Sequence, residues 1–245
     1  MPDVSASDGG VERRTLASQV YNILEAKILS GELQPGSRLS EETIAEVYSV
    51  SRSPAREALA SLERVGLAVR VGMRDRMVPM PTEEMIAQKH DVWWIIDVGR
   101  TYLGSLDATA EDHAELRHYV DGMAAAANAG DTKKYRQFCD KFHKKIRGSC
   151  ANEYMNELGT SSDLYMKWFE RLYDRAAEIS TDVIAEHYRI LEAYEKRDLA
   201  GLSETIRVHL MRQRDRMLSN FNRKLASGAR KPRPGRTRGG DGAES

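Results

Sequence analysis

The sequence predicts a mainly α protein: an N-terminal winged helix-turn-helix (three helices plus a β-hairpin wing) followed by an all-α antiparallel helical bundle. Three observations predict it. Ala55, Ala58, Leu59, Leu62 and Val65 recur at helical spacing, so one stripe of that helix is buried and its other face, carrying Arg52 and Arg56, is free. Leu67, Val69 and Val71 alternate with smaller or polar residues, and Gly-Met-Arg-Asp-Arg then leads into Met77-Val78-Pro79, the pattern of a hairpin. Beyond Pro81 the periodicity is helical almost throughout, with no strand candidate.

Composition bounds the rest. A chain of 245 residues is expected to hold two domains of modest size. No apolar run approaches the roughly 18 residues of a membrane span, and MPDVSASDGG lacks the apolar core of a signal peptide. The expectation is a soluble, cytoplasmic protein with no membrane partner. Two cysteines, Cys139 and Cys150, make no disulfide framework. Net charge is zero, so the chain as a whole argues neither for nor against nucleic acid.

Residues 1–14 are polar and rich in Ser, Gly and Asp, and are expected to be disordered. The winged helix is expected over 15–80. Leu16, Val20, Ile23, Leu24 and Ile28 stripe its first helix, and Gly31 is placed to end it. In Gln34-Pro35-Gly36-Ser37, Pro presets φ and Gly accepts a positive φ, which reads as a turn. Ser40 caps a second helix that carries Ile44 and Val47 inward, and Tyr48-Ser49-Val50 forms the turn. Either Ser51 or Ser53 caps the third helix; Pro54 fits both registers, because first-turn N–H groups have no intrahelical partner.

Pro79-Met80-Pro81-Thr82 breaks the strand and caps the next helix, which sets the boundary of a second domain over 81–224. Helices are read near 82–106, 111–129, 131–148, 152–176, 180–197 and 199–224, separated by Gly130-Asp131, Gly148-Ser149 and Ser180-Thr181-Asp182. Stripes such as Leu164, Trp168, Phe169 and Leu172 are core. Residues 225–245 are Pro, Gly and Arg rich and are expected to be a disordered basic tail.

Arg52 and Arg56 lie four apart near a helix N-terminus, where free N–H groups and the dipole also favour phosphate. This is how a recognition helix is offered to the major groove of double-stranded DNA. The competing reading is a solvated face with charge pairs to Glu57 or Glu63; helix, turn, wing and charge placement together favour DNA. Residues 1–80 hold ten Lys or Arg against eleven Asp or Glu, so one copy would bind weakly. A homodimer reading two half-sites of a pseudo-palindromic operator is the expected remedy.

Leu39-Ser40-Glu41-Glu42, Val50-Ser51-Arg52-Ser53-Pro54-Ala55-Arg56-Glu57-Ala58-Leu59 and Leu62-Glu63-Arg64-Val65-Gly66-Leu67 resemble the winged helix of the GntR family of bacterial transcription regulators. The resemblance covers 15–80 and implies DNA contact at Arg52, Ser53, Pro54 and Arg56, with wing contacts at Arg74 and Arg76. Two positions depart from the family. Asp75 puts a carboxylate at the wing tip, and Glu42 stands where some members are basic.

Three histidines of the second domain, His143, His187 and His209, fall on three different expected helices beside apolar residues. Imidazole suits Zn²⁺, Ni²⁺ and related ions, whereas spacing alone is equally met by three separate core histidines. Residues 85–222 resemble the FCD-type effector domain of the FadR subfamily, through Phe142-His143, Ser149-Cys150-Ala151-Asn152, Glu186-His187 with Ile190 and Asp198, and His209-Leu210. The resemblance implies a divalent metal, Zn or Ni, held by the three histidines and an acidic residue and completed by a small organic acid. The acidic ligand's usual position, four before the first histidine, is Cys139; Asp140 stands three before it. The site is then three His with Asp140, three His with a Cys139 thiolate, or metal-free. Trp93 and Asp97 stand where many relatives carry pocket-facing Arg and Glu, so Trp93, Asp97 and Asn152 are the expected effector-binding residues; Trp93 and Trp94 packing the core or a dimer surface is the alternative.

The expectation is a ligand-responsive repressor and not an enzyme, since no phosphate loop, nucleophile motif or general base accompanies the histidines. A helical metal-dependent hydrolase-like enzyme and an effector-independent architectural DNA-binding protein are the rival readings.

Overall fold

The computed structural model describes residues 15–73, 75–173 and 181–227. The expectations for 1–14, Arg74 and most of the tail therefore lie outside the described residues. The chain divides after Pro79 into two compact units, except that Leu29–Gly31, at the end of the first helix, group with the second.

In the first unit, α1 (Leu16–Ser30) buries Val20, Leu24 and Ile28, while Leu16 and Ile23 of the expected stripe stay exposed. Gly31 adopts φ 79°, and the Leu33 N–H closes on the Lys27 carbonyl at 2.9 Å, which terminates the helix. The chain then turns at Gly36, φ 84°, with the Ser37 N–H on the Gln34 carbonyl. Strand β1 (Arg38–Ser40) comes next and leads directly into α2 (Glu41–Val47), capped by the Ser40 hydroxyl accepting from the Thr43 N–H at 3.4 Å. Ile44 is buried but Val47 is 64 % exposed, because a seven-residue helix has a single inward turn.

Helix α3 (Arg52–Arg64) starts after Ser51, whose backbone is extended but whose hydroxyl makes no cap bond. Ala55, Ala58, Leu59 and Leu62 are buried as expected, whereas Val65, the last of the expected stripe, is half-buried at the C-cap. The wing is β2 (Val69–Arg70) and β3 (Asp75–Met77), with β3 central in an antiparallel β1-β3-β2 sheet. Val69 and Val71 face solvent, because Leu67 and Ala68 already fill the core before the two-residue strand begins. Leu39 pairs with Arg76, and both are buried on the inner face of the sheet.

The second unit contains α4 (Glu83–Leu106), α5 (Ala110–Asn128), α6 (Thr132–Gly148), α7 (Glu153–Tyr173), α8 (Thr181–Glu195) and α9 (Leu199–Ala226). Their starts obey local cap chemistry. Thr82 accepts from Met85 N–H, Thr109 and Asp112 form a reciprocal capping box, Asp131 accepts from Lys134 N–H and Asp198 from Gly201 N–H. Helix α4 packs on α7 and α9, α5 on α6 and α8, and α8 on α9. Phe142, Trp168, Phe169, Leu191, Tyr194 and Leu202 fill the interior. Helix α9 continues to Ala226, two residues past its expected end. Among the described residues no helix is long and apolar enough to cross a membrane.

Candidate DNA-reading surface and histidine cluster

In the first unit, α3 presents Arg52 and Arg56 on its exposed face, with side chains 59 % and 63 % exposed. Both are paired within the chain, to partners other than Glu57 and Glu63. Arg52 Nη2 donates to Glu42 at 2.7 Å, and Arg56 Nε to Glu41 at 3.4 Å. Ser53 Oγ donates to Glu57 at 3.1 Å, and Pro54 is half-buried in the first turn. Arg52 and Arg56 share a groove of about 410 Å³ with Arg70 and the fully exposed Met73, along with Glu41 and Arg76.

Arg76 departs from the expected wing contact. It is 3 % exposed, and donates from Nη1 to Glu41 at 3.3 Å and from Nε to Glu63 at 3.1 Å. A guanidinium so enclosed holds the wing onto α2 and α3 and is not available to a groove of DNA. Among the described residues the exposed wing arginine is Arg70, absent from the sequence-based expectations and held by Glu63 through Nε and Nη2 at 3.3 Å. Its partner is seven residues away and its strand register depends on β3, so nothing local marks it. Asp75 pairs with Arg38 across the sheet, which neutralises the wing carboxylate.

In the second unit, α6, α8 and α9 bring His143, His187 and His209 together. Ring centroids are 5.0 Å apart for His143 and His187, 4.7 Å for His187 and His209, and 5.4 Å for His143 and His209. His187 Nδ1 donates to the Val183 carbonyl at 2.7 Å, so its Nε2 carries the lone pair, 3.1 Å from His143 Nε2. His209 Nδ1 donates to the Glu186 carboxylate at 3.0 Å, leaving Nε2 as its free nitrogen. Carbonyl and carboxylate partners of this kind fix the ring tautomer of metal-binding histidines.

Burial, reinforced by Arg147 and the neighbouring rings, holds His143 well below the usual imidazole range. Burial and His209 push His187 down to about 3. His143 and His187 are therefore neutral ligands at physiological pH, as cation binding requires. Burial raises Glu186, but the His209 hydrogen bond and Arg212 bring it net below the usual carboxylate range. The donor set fits a borderline divalent ion.

Neither Asp140 nor His209 belongs to the tightest group of donor atoms among the described residues. The donor atoms of Cys139, His143 and His187 lie within 4.8 Å of one another, and Cys139 Sγ is 3.8 Å from His187 Nε2. For Asp140 the reason is helical geometry: a residue four before His143 shares its face most closely, whereas Asp140, three before, is exposed, although it lines the same cavity as His143. Burial, with Asp140 and Glu170 adding to it, pushes the Cys139 thiol up to about 12.

His143, His209 and Asp140 line a cavity of about 700 Å³. Trp93, Arg100, Arg147, Asn156, Thr160 and Asp163 form much of its remaining wall. Trp93 stands on this wall, donating from Nε1 to Asp163 at 3.0 Å. Asp97 is buried behind the wall, accepting from Arg147 Nε at 2.6 Å, and so orients an arginine that lies 4.9 Å over the Trp93 ring. Asn152 is away from the cavity: its Oδ1 accepts from the Met155 N–H at the start of α7. Asn156, one turn on, lines the cavity instead. Arg100 donates from both Nη atoms to Asp163 at 2.9 Å.

The bacterial regulatory proteins of the gntR family match residues 16–75, and the FCD domain matches residues 101–212. The chain is 26 % identical over 196 residues to the uncharacterized HTH-type transcriptional regulator YdhC of Bacillus subtilis, covering 78 % of this chain and 86 % of that one. It is likewise 26 % identical over 199 residues to the gluconate operon transcriptional repressor of Bacillus subtilis, covering 75 % and 77 %. The solved structure of E. coli McbR/YncC shares the fold with a TM-score of 0.64 at 20 % identity, covering 85 % of this chain and 99 % of that one. With the winged helix and the helical domain both matched in this order, the chain belongs to the gntR family of bacterial regulatory proteins, as a transcription regulator carrying an FCD domain.

Proposed function

We propose that the protein is a repressor that reads a pseudo-palindromic operator as a homodimer, with an affinity set by a small organic acid bound through a divalent metal in the helical domain. The observation that carries this reading is the convergence of His143, His187 and His209, of which His143 and His209 line a cavity of about 700 Å³ whose wall includes Arg100 and Arg147. The histidines would hold the ion, which would supply a positive charge for a carboxylate. Arg147, stacked on Trp93, would bind and orient the rest of the acid.

An exposed apolar stripe supports the dimer. Val92, Ile95 and Leu106 of α4 are exposed at helical spacing, with half-buried Gly99 and Tyr102 between them, and α7 adds exposed Tyr154 and Leu158. The effector can shift the operator equilibrium only by its differential affinity for two arrangements, typically about 1–3 kcal/mol. The relatives named as regulators and repressors support regulation over the hydrolase-like reading. The cavity argues against an effector-independent architectural role.

Elemental analysis with native mass spectrometry of the purified protein tests the metal and any retained acid. Mobility shift on DNA from its own promoter tests the output. The reading fails if the protein ignores that DNA at moderate salt and Arg52→Ala and Arg56→Ala change nothing.

A further inference from the structure

We infer that the metal centre is a thiolate centre, with Cys139 rather than an acidic residue standing beside the histidines as the fourth protein ligand, and that it therefore selects Zn²⁺ or Co²⁺ over harder ions. This rests on the reading of the histidine cluster as a metal site. Three observations carry it. Cys139 and His143 are one helical turn apart on α6, and their donor atoms close with that of His187 to within 4.8 Å. The Sγ to Nε2 separation of 3.8 Å and the Nε2 to Nε2 separation of 3.1 Å bracket what one ion imposes. Bonds of about 2.3 Å to sulfur and about 2.05 Å to nitrogen at tetrahedral angles give roughly 3.5 Å and roughly 3.3 Å. Asp140, the nearest carboxylate in sequence, is exposed on the neighbouring face of α6 and outside that group.

The chemistry is set by the donor. As the ion enters, a sulfur–metal bond forms, the thiol proton passes to solvent and a water leaves the ion; no electron is transferred. Thiolate is a soft ligand, and a site with one sulfur and imidazoles disfavours Mn²⁺ and Mg²⁺ relative to an all-nitrogen and carboxylate site. His209 stands outside that group of three donors and would join the ion through the ring nitrogen that Glu186 leaves free, its ring centroid 4.7 Å from that of His187.

The test is a Co²⁺ titration of the full-length protein, monitored by near-ultraviolet absorption and by elemental analysis of the same samples. Sulfur-to-cobalt charge transfer should grow in with bound Co²⁺ and disappear in Cys139→Ser, while Asp140→Asn keeps it. Cys139→Asp should still bind metal without the band, and should shift competition toward Mn²⁺ by about tenfold or more, the scale on which even supporting partners act. Bound Co²⁺ without the band, or a band that survives Cys139→Ser, overturns the thiolate assignment and leaves the metal reading intact. Protein that retains no metal overturns both.

Discussion

The Glu41 carboxylate accepts from Arg76 Nη1 at 3.3 Å, with both side chains less than a tenth exposed and 35 residues apart in the chain. The other Glu41 oxygen accepts from Arg56 Nε at 3.4 Å. One buried carboxylate thus ties the wing strand to the helix that offers Arg56. Arg76→Ala would leave Glu41 enclosed without its buried partner and should cost about 3 kcal/mol or more of stability. Denaturant unfolding of the variant checks this; a loss within about 0.5 kcal/mol would mean that Arg76 behaves as a surface residue.

Glu42 and Arg52 make the opposite case. Their pair is short, at 2.7 Å, but both side chains are largely exposed, so it adds little to stability. Its effect should appear in binding, because Arg52 must leave Glu42 before it can meet DNA. Glu42→Ala should strengthen operator binding several-fold with a melting temperature close to wild type. Arg52→Ala should weaken binding by about 1–3 kcal/mol if the contact is to a base edge. Mobility shifts at several salt concentrations separate this from a phosphate contact, which would lower the salt slope.

These two pairs also mark how far the sequence can be read. The α3 stripe, the turn residues Gly31 and Gly36 and most starts and ends of the bundle helices arise from chemistry within a few residues, and they are legible. Strand β1 is not, since three residues become a strand only through pairing with β3, more than thirty positions on. The burial of Arg76 depends on Glu41 and Glu63 in the same non-local way. At the histidines, residue type places three rings correctly near one another, but a difference of one position between Cys139 and Asp140 amounts to about 100° around a helix. Asn152 and Asn156 differ by a whole turn: the first satisfies an α7 N–H and the second faces the cavity.

Arg100 crosses the face of α7 at Gly159, where an alanine Cβ would stand 2.2 Å from its Nη1. Helix propensity alone predicts that Gly159→Ala stabilises by about 1 kcal/mol. The packing predicts the reverse: a guanidinium that bridges to Asp163 has to move, at about 1–3 kcal/mol. The sign of the change in a thermal melt decides between them. Because Arg100 lines the cavity, the same variant should bind a small carboxylate more weakly.

Lys145 of α6 reaches Asp112 and Glu115 of α5 at 2.7 Å each. Its hydrogen bond, with those from Thr109 next in size, holds Asp112 down to about 2. The folded value lies below the unfolded one of about 4, so the interaction is fully present above that pH and is lost as pH falls toward about 2. Asp112 is about a quarter exposed, which limits the contribution to about 1 kcal/mol after screening. Lys145→Met should therefore flatten the stability curve between about pH 4 and pH 2, with little effect on its shape near neutrality. Urea midpoints across that window measure it.

The apolar stripe of α4 gives the strongest test of assembly. Ile95 is 63 % exposed near the middle of a 24-residue helix, between Val92 and the surface formed by Gly99 and Tyr102. In a monomer, Ile95→Asp replaces an exposed apolar side chain by a charge and should leave stability within about 0.5 kcal/mol. In a homodimer that buries this stripe, the same change sets two unpaired carboxylates against an apolar partner surface, and the pair should come apart in sedimentation velocity. A separated copy engages one half-site at a time. Operator affinity should then fall on the order of a hundredfold or more, while the histidine cluster, which lies on α6, α8 and α9, should keep its metal. Sedimentation as a single wild-type-sized species, with unchanged operator affinity, would remove α4 from the interface.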